Sequence, residues 1–302
     1  MNLRALGQAT AAVGVTGAAC VAYAAAIEVR WFTLRHATVA VLPPGSDPLK
    51  VLHVSDLHLL PRQRRKIDWV RSLSALEPDL VVNTGDNISG VHSLPALIHA
   101  YGDLLDLPGA FVFGSNDYWS PKLKNPARYL MPGDKRHRVR RAPDLPFEPM
   151  RAAFTDLGWT DLNNARATLK VRGLRLDLAG VDDPHVLRDD YSAVAGPVDT
   201  SADLSIGVAH APYRRVLDAF TTDGYPLILA GHTHGGQLAV PFYGALVTNC
   251  DLDTSRAKGV STYGAGGRQA TLHVSAGLGT SPFAPIRFCC RPEATLLTLT
   301  AR

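Results

Sequence analysis

Cysteine is scarce in this chain, with four residues (Cys20, Cys250, Cys289 and Cys290) among 302. Two of the four are adjacent, a geometry that disfavours a mutual bridge. No Cys-x-x-Cys pair occurs, so neither a zinc ribbon nor a disulfide framework is indicated. An excess of one charge is also lacking: the formal net charge is +4, with charged residues at 19%. That is too little to imply a nucleic-acid partner, and no recognition helix or nucleic-acid motif is present, so none is expected. Hydrophobic residues make up 46%, which excludes a disordered chain and suits one large packed body or two modest ones. No internal repeat is visible.

One long stretch has no charge at all. Between Arg4 and Glu28 the residues Ala5 to Ile27 read ALGQATAAVGVTGAACVAYAAAI, long enough for a helix to cross a bilayer core of about 30 Å. Its richness in Ala, Gly and Thr weakens the drive for insertion. Ala22-Tyr23-Ala24 also has the small-residue form of a signal-peptidase site. The expectation is a membrane anchor, with secretion after signal cleavage or a buried helix as alternatives. Arg4 and the amino terminus balance Arg30 and Arg35 across the stretch, so the side of the membrane stays open. Pro43-Pro44-Gly45 and Asp47-Pro48 have turn chemistry. Residues 1–45 are therefore expected as anchor and linker, and 46–302 as the catalytic domain.

Beyond the linker, short β-branched apolar runs alternate with helical spacing. Lys50–Val54, Asp79–Asn83 and Ala110–Phe113 read as buried strands, with helices over Ile67–Leu76 and Leu94–Leu105 between them. Such alternation predicts parallel βαβ units. Polar residues follow each strand end, where open α/β sheets bind ligands. Pro121 to Pro149 breaks the rhythm as an excursion that carries the basic tract Lys135–Arg141. Later strands are expected at Ala167–Leu178, Leu204–Val208, Leu227–Ala230, Gln237–Val240, Gln269–Ser275 and Thr295–Thr300.

The chemistry-bearing residues sit at those ends. Asp56 and His58 form Asp-Leu-His, and in an extended segment residues two apart point the same way, towards one metal. A carboxylate oxygen with an imidazole nitrogen suits zinc, iron or manganese. Asp86 follows Gly85 and offers two oxygens to two cations; the competing reading is a turn aspartate. His232 and His234 lie in Gly-His-Thr-His-Gly-Gly after an apolar run, where glycine lets backbone approach a cation closely. His210 repeats the strand-then-histidine pattern. His53 reads as a core or supporting residue, and Asp182-Asp183-Pro184-His185 as either cleft lining or an ordinary turn.

The order Asp-x-His, Gly-Asp, Gly-Ser-Asn-Asp, His, Gly-His-x-His resembles the calcineurin-like metallophosphoesterase superfamily. The Val54–His58 run, Gly231–Gln237, Gly277–Ser281, Pro285–Phe288 and Arg291–Glu293 resemble its bacterial YkuE/YaeI-type branch. The resemblance implies an α/β fold, a four-layer α/β/β/α sandwich, here preceded by the apolar helix. It also implies two divalent or trivalent metal ions (Mn, Fe or Zn), with Asp56, His58 and His234 on one and His210 and His232 on the other. Asp86 would bridge them, and a metal-bridging hydroxide would attack the phosphorus.

The family usually has an asparagine ligand and a histidine near the leaving group after the third strand. Gly114-Ser115-Asn116-Asp117 lacks the histidine. Ungapped, Ser115 takes the ligand place; a one-residue shift makes Asn116 the ligand and puts Asp117 near the leaving group. Asn116 and Asp117 are thus the candidate catalytic residues, with Asn116 also a candidate ligand. The expected activity is metal-dependent hydrolysis of a phosphoester, foremost a phosphodiester, with a lipid or envelope phosphate attractive because of the anchor. The alternatives are a soluble nucleotide or cyclic-nucleotide phosphodiesterase and a catalytically weak metal-binding scaffold.

Overall fold

The structure, a computed structural model, describes residues 3–123 and 136–302. Helix α1 (Leu3–Ala26) comes first and is followed by β1 (Thr33–Leu42). The chain then alternates through β2 (Leu49–Val54), α2 (Arg64–Arg71), β3 (Leu80–Asn83), α3 (Leu94–Tyr101) and β4 (Gly109–Phe111). A single turn α4 (Ser115–Tyr118), helix α5 (Phe147–Asp156) and β5 (Trp159–Asp161) complete the first half. The second half holds β6 (Ala165–Val171), β7 (Leu174–Val181), β8 (Leu204–Ala209), α6 (Arg214–Asp223) and β9 (Leu227–Ala230). Short β10 (Ala239–Val240) and β11 (Gly244–Ala245) precede β12 (Gly259–Ala265), β13 (Arg268–Val274) and β14 (Glu293–Ala301).

Two six-stranded sheets result, ordered β1-β14-β2-β3-β4-β5 and β12-β13-β9-β8-β7-β6. The central neighbours β2, β3 and β4 are parallel, as are β7, β8 and β9. Each central strand is buried on both faces, which is why it reads as an apolar run without alternation. The period of two still sorts its side chains. Val51, Leu80 and Val82 meet Ile206, Val208, Leu227 and Leu229 between the sheets. Leu52, Val54, Val81 and Phe111 face the opposite way, onto Ile67, Val70, Leu97 and Phe154 of α2, α3 and α5. On the outer face of the second sheet, α6 buries Val216, Leu217 and Phe220 against Ile228 and Leu272. Burying a side chain such as Phe220 contributes about 1.5–3 kcal/mol. The layers therefore run helix, sheet, sheet, helix.

The structure corrects two expectations. The run Ala167–Leu178 is not one strand but the hairpin β6–β7, turned by Arg172 (φ 49°) and Gly173 (φ 83°). A tight hairpin turn requires left-handed backbone at both central residues, and arginine is not the residue that usually signals it. Ahead of residue 45, β1 pairs in parallel with β14 from Thr33 onward. The excursion from Pro121 also ends earlier than Pro149, since α5 starts at Phe147. Part of it, including Lys135 of the basic tract, lies outside the described residues.

Candidate metal centre

Six strand ends converge on one place, three from each sheet. β2 delivers Asp56 and His58, β3 delivers Asp86, and β4 leads to Asn116. β7 delivers Asp183 and His185, β8 His210, and β9 His232 and His234. The loops are laced together: Asp56 N–H donates to the Gly85 carbonyl (2.8 Å) and His58 N–H to the Asp86 carbonyl (2.9 Å). Across the sheets, His232 N–H donates to Asp56 Oδ2 at 3.0 Å. Gly231 is required for that closeness, because a Cβ there would lie 1.9 Å from Ser55 Oγ and 2.7 Å from Asp56 Oδ2.

The local backbone differs from the extended segment expected after β2. Asp56 (φ 50°), His58 (φ 44°), Asp86 (φ 55°), His232 (φ 68°) and His234 (φ 50°) all adopt left-handed conformations. For residues other than glycine this is uncommon and costs about 1–3 kcal/mol each, and such residues gather at functional sites. Asp56 and His58 do face one point, but through two left-handed residues in a loop rather than through strand alternation.

Each histidine has one nitrogen tied down and the other turned inward. His210 Nδ1–H donates to the Thr84 carbonyl at 2.6 Å, and His234 Nδ1–H to the Gly279 carbonyl at 3.0 Å. His232 Nε2 meets the Asn249 carbonyl at 3.2 Å and Asn249 Nδ2 at 3.3 Å, and His58 Nδ1 meets Ser89 Oγ at 3.3 Å. The inward nitrogens then face each other in pairs: His58 Nε2 and His234 Nε2 at 3.2 Å, His232 Nδ1 and His210 Nε2 at 3.3 Å. Fixing the outer nitrogen is how proteins set the tautomer and orientation of metal-binding histidines.

The carboxylates complete the set. Asp56 Oδ1 is buried, accepts no hydrogen bond, and lies 3.5 Å from His234 Nε2. Asp86 Oδ2 is 3.4 Å from His58 Nε2 and 3.6 Å from His210 Nε2, so it stands between the two histidine pairs. Asp56, His58 and His234 each offer a ligand atom within 4.8 Å of one another, and so do Asp56, Asp86 and His210. Facing nitrogen lone pairs and an orphaned buried carboxylate oxygen are costly without a cation between them. The donor set therefore fits metal ions.

The electrostatics agree. Burial pushes the Asp56 carboxyl up to about 6 against the pull of His210. Burial lowers His58 to about 4 and holds His234 well below its ordinary value, leaving neutral imidazoles. Burial alone would lower His210 too, but Asp86, Asp183 and Asp56 outweigh it and raise it to about 9. A cation would relieve this mismatch by favouring ionised carboxylates and neutral rings.

The chain matches the family model for calcineurin-like phosphoesterases over residues 49–236. It belongs to that family. Membership supports metal-dependent hydrolysis of a phosphoester, and the family binds divalent metals. The chain is 26% identical to the metallophosphoesterase YkuE of Bacillus subtilis (strain 168), covering 98% of this chain and 96% of that one. It is 25% identical to phosphodiesterase YaeI of Escherichia coli (strain K12), covering 97% of each. A bovine (Bos taurus) transmembrane protein with a metallophosphoesterase domain is 29% identical over 65% of this chain and 43% of its own length.

Within this phosphoesterase site, Asn116 rather than Ser115 reaches Asp86. Its backbone N–H donates to Oδ1 and its side-chain Nδ2 to Oδ2, both at 2.7 Å. Asp117 sits behind it. Its oxygens accept the backbone N–H groups of Asp86 (2.8 Å), Asn87 (2.7 Å) and Gly114 (2.9 Å). Both oxygens of Asp117 thus hold the loops around Asp86. Burial, followed by the charge of Asp86, raises its carboxyl to about 7.

His53 is a supporting residue, as its place in β2 implied. Its Nε2 meets Thr84 Oγ1 at 2.9 Å, and Thr84 donates to Ser55, which donates to Asp56. In the Asp182-Asp183-Pro184-His185 run the two aspartates divide. Asp182 is taken by the Tyr118 hydroxyl (2.8 Å) and Arg188 (2.9 Å). Asp183 is fully buried with Oδ2 unpartnered, and burial lifts it to about 7 against the charge of His210. His185 packs on His232 with ring centroids 4.5 Å apart. The described part of the basic tract returns here, with His137 N–H donating to the His185 carbonyl and Arg136 over the Tyr213 ring. Arg287, fully buried, donates to the carbonyls of Ala276, Gly277 and Gly279 and so supports the loop that orients His234.

Proposed function

We propose that this chain hydrolyses a phosphodiester at a membrane surface with a two-cation centre. Asp56, His58 and His234 would hold one ion, His210 and His232 the second, and Asp86 would sit between them. The observation that carries the reading is the convergence of four inward histidine nitrogens on two buried carboxylates, each ring fixed from behind. The name of the relative YaeI supports a diester over a monoester. When bound, the cations supply Lewis-acid polarisation of the phosphoryl oxygens and a water acidic enough to act as nucleophile.

The chain's own residues do the rest. Asn116 orients Asp86 through two hydrogen bonds, and Asp117 pins the three amides that shape the loops around it. Asn116 cannot donate a proton to an alkoxide, so the chain favours esters whose leaving groups need little protonation. Arg136, whose guanidinium lies over the Tyr213 ring, brings positive charge close to His185. The membrane reading is supported by the stretch Ala12–Arg30, which begins within α1 and runs just past its end and is long and apolar enough to cross a bilayer. We take α1 as the anchor and the body as beginning at Thr33.

The test combines metal analysis of the full-length chain with hydrolysis of an aryl phosphodiester. Two equivalents of metal are expected, with activity lost on chelation and restored by manganese. Bound metal without hydrolysis would favour the scaffold. The uncleaved chain should stay with membranes through a high-salt wash, and its recovery as soluble protein would overturn the anchor.

A further inference from the structure

The loop that carries His232 and His234 runs straight into an exposed apolar hairpin. β10 and β11 pair antiparallel, and the turn between them presents Phe242 and Tyr243 to solvent, 111% and 76% exposed. Leu238, Val240 and Leu246 on the same hairpin are exposed as well. Phe242 is left-handed at φ 66°, a conformation that a bulky side chain takes only at a cost that glycine or asparagine would avoid. Clustered exposed apolar residues mark an interaction surface.

What covers the hairpin is indicated by its neighbour. Ala239 N–H donates to the Phe288 carbonyl at 2.8 Å and Phe288 N–H to the Gln237 carbonyl at 3.1 Å. The other side of that segment grips the end of α1. Arg287 N–H donates to the Ala24 carbonyl at 3.2 Å, and Tyr23 meets Phe288 edge-on with ring centroids 6.4 Å apart. Glu28 accepts from the backbone amides of Cys289 (3.0 Å) and Cys290 (2.5 Å). One segment thus clamps the hairpin to the end of the apolar helix. Trp31, just past that end, is partly exposed with the Arg291 guanidinium 3.4 Å from its ring centroid. Tryptophan with arginine at the end of an apolar helix suits the layer between water and acyl chains.

We propose that the hairpin tip, Phe242 and Tyr243, inserts into the interfacial layer of the bilayer that α1 enters. The occupant of this apolar surface is the lipid itself, and insertion holds the His232–His234 loop against the membrane. The inference rests on the reading of α1 as an anchor.

Full-length protein reconstituted in phosphatidylcholine–phosphatidylglycerol vesicles tests it. The variants are Phe242→benzoylphenylalanine, Val13→benzoylphenylalanine in α1, and Leu157→benzoylphenylalanine beside β5, at the opposite edge of the first sheet. After irradiation, lipid adducts are read as mass shifts. Adducts at 242 and 13 but not 157 are expected. An adduct at 13 alone overturns the hairpin while the anchor stands, and one at 242 alone removes the anchor and with it the proposal that the tip enters the bilayer beside α1. No adduct at either overturns both. Protein–protein crosslinks at 242, or adducts at 157 equal to those at 242, also overturn the proposal.

Discussion

Deleting the Asn116 side chain removes one hydrogen bond to Asp86 and a longer, 3.4 Å contact with Ser115 Oγ. Asn116 makes two to Asp86, one from its backbone N–H and one from Nδ2, both at 2.7 Å. Asn116→Ala keeps the first and loses the second. A hydrogen bond to a charged acceptor contributes about 1.5–3 kcal/mol. Asn116 is only half-buried, so water replaces part of the loss and the lower end applies. At about 1.36 kcal/mol per factor of ten, that is a loss of roughly tenfold. Because the lost bond acts on Asp86 rather than on a leaving group, aryl and alkyl diesters should slow alike, with metal held less firmly. Rates on both esters measured beside metal stoichiometry decide the matter. If alkyl esters slow by a further factor of about 10²–10⁴ with both metals retained, Asn116 assists the leaving group instead. Unchanged rates and unchanged metal would remove Asn116 from the site.

Asp86→Ala should cost more than the roughly 10²–10³-fold typical of removing one preorganised group, and near-normal hydrolysis with two ions bound would refute its place between the histidine pairs. Gly231→Ala forces a Cβ to 1.9 Å from Ser55 Oγ, so it should destabilise the fold by about 1–3 kcal/mol and weaken metal binding; an unchanged melting temperature contradicts this. Lys66 is buried, donates to the Leu57 carbonyl at 2.7 Å, and is lowered to about 7 by burial and then Arg287. Between pH 7 and 10.5 the unfolded chain holds a proton that the folded chain has released, so stability should rise with pH there, by at most about 1.4 kcal/mol per unit. Lys66→Met should flatten that rise in thermal melts of the detergent-solubilised chain, and an unaltered slope in the variant would refute the assignment.

The parallel strands and most of the site were legible because two local signals coincided. Each apolar run ended in a residue with metal-binding chemistry, and doubly buried strands need no alternation to be recognised. The β6–β7 hairpin was not legible, since Arg172-Gly173 lacks the Asn-Gly or Asp-Gly signal of a tight turn. Asp183 was half-legible. The sequence offered two adjacent aspartates and a histidine after a strand, and only the fold separates Asp182, spent on Tyr118 and Arg188, from Asp183, whose Oδ2 has no hydrogen-bond partner. Which residue of Ser115-Asn116-Asp117 reaches Asp86 was equally hidden, because it depends on where the short α4 turn begins rather than on residue type.

The conformations at the candidate ligand positions explain why two-residue spacing is an incomplete account of how Asp56 and His58 meet. Two-residue spacing in Asp56-Leu57-His58 does bring both side chains to one point, yet in an extended strand they would share a face without converging. Left-handed backbone at each of the two folds the chain inward, and the same device recurs at His232 and His234. Five such residues at about 1–3 kcal/mol each would strain an isolated loop severely. Here the strain is opposed by backbone bonds between loops of different strands, such as Asp56 to Gly85 and His58 to Asp86. The candidate ligands are thus held by bonds between loops, within one sheet and, through His232 N–H to Asp56 Oδ2 at 3.0 Å, across the two sheets, rather than by any one loop. It follows that substitutions at the sheet–sheet contact, far from a ligand in sequence, should weaken metal binding before they unfold the chain.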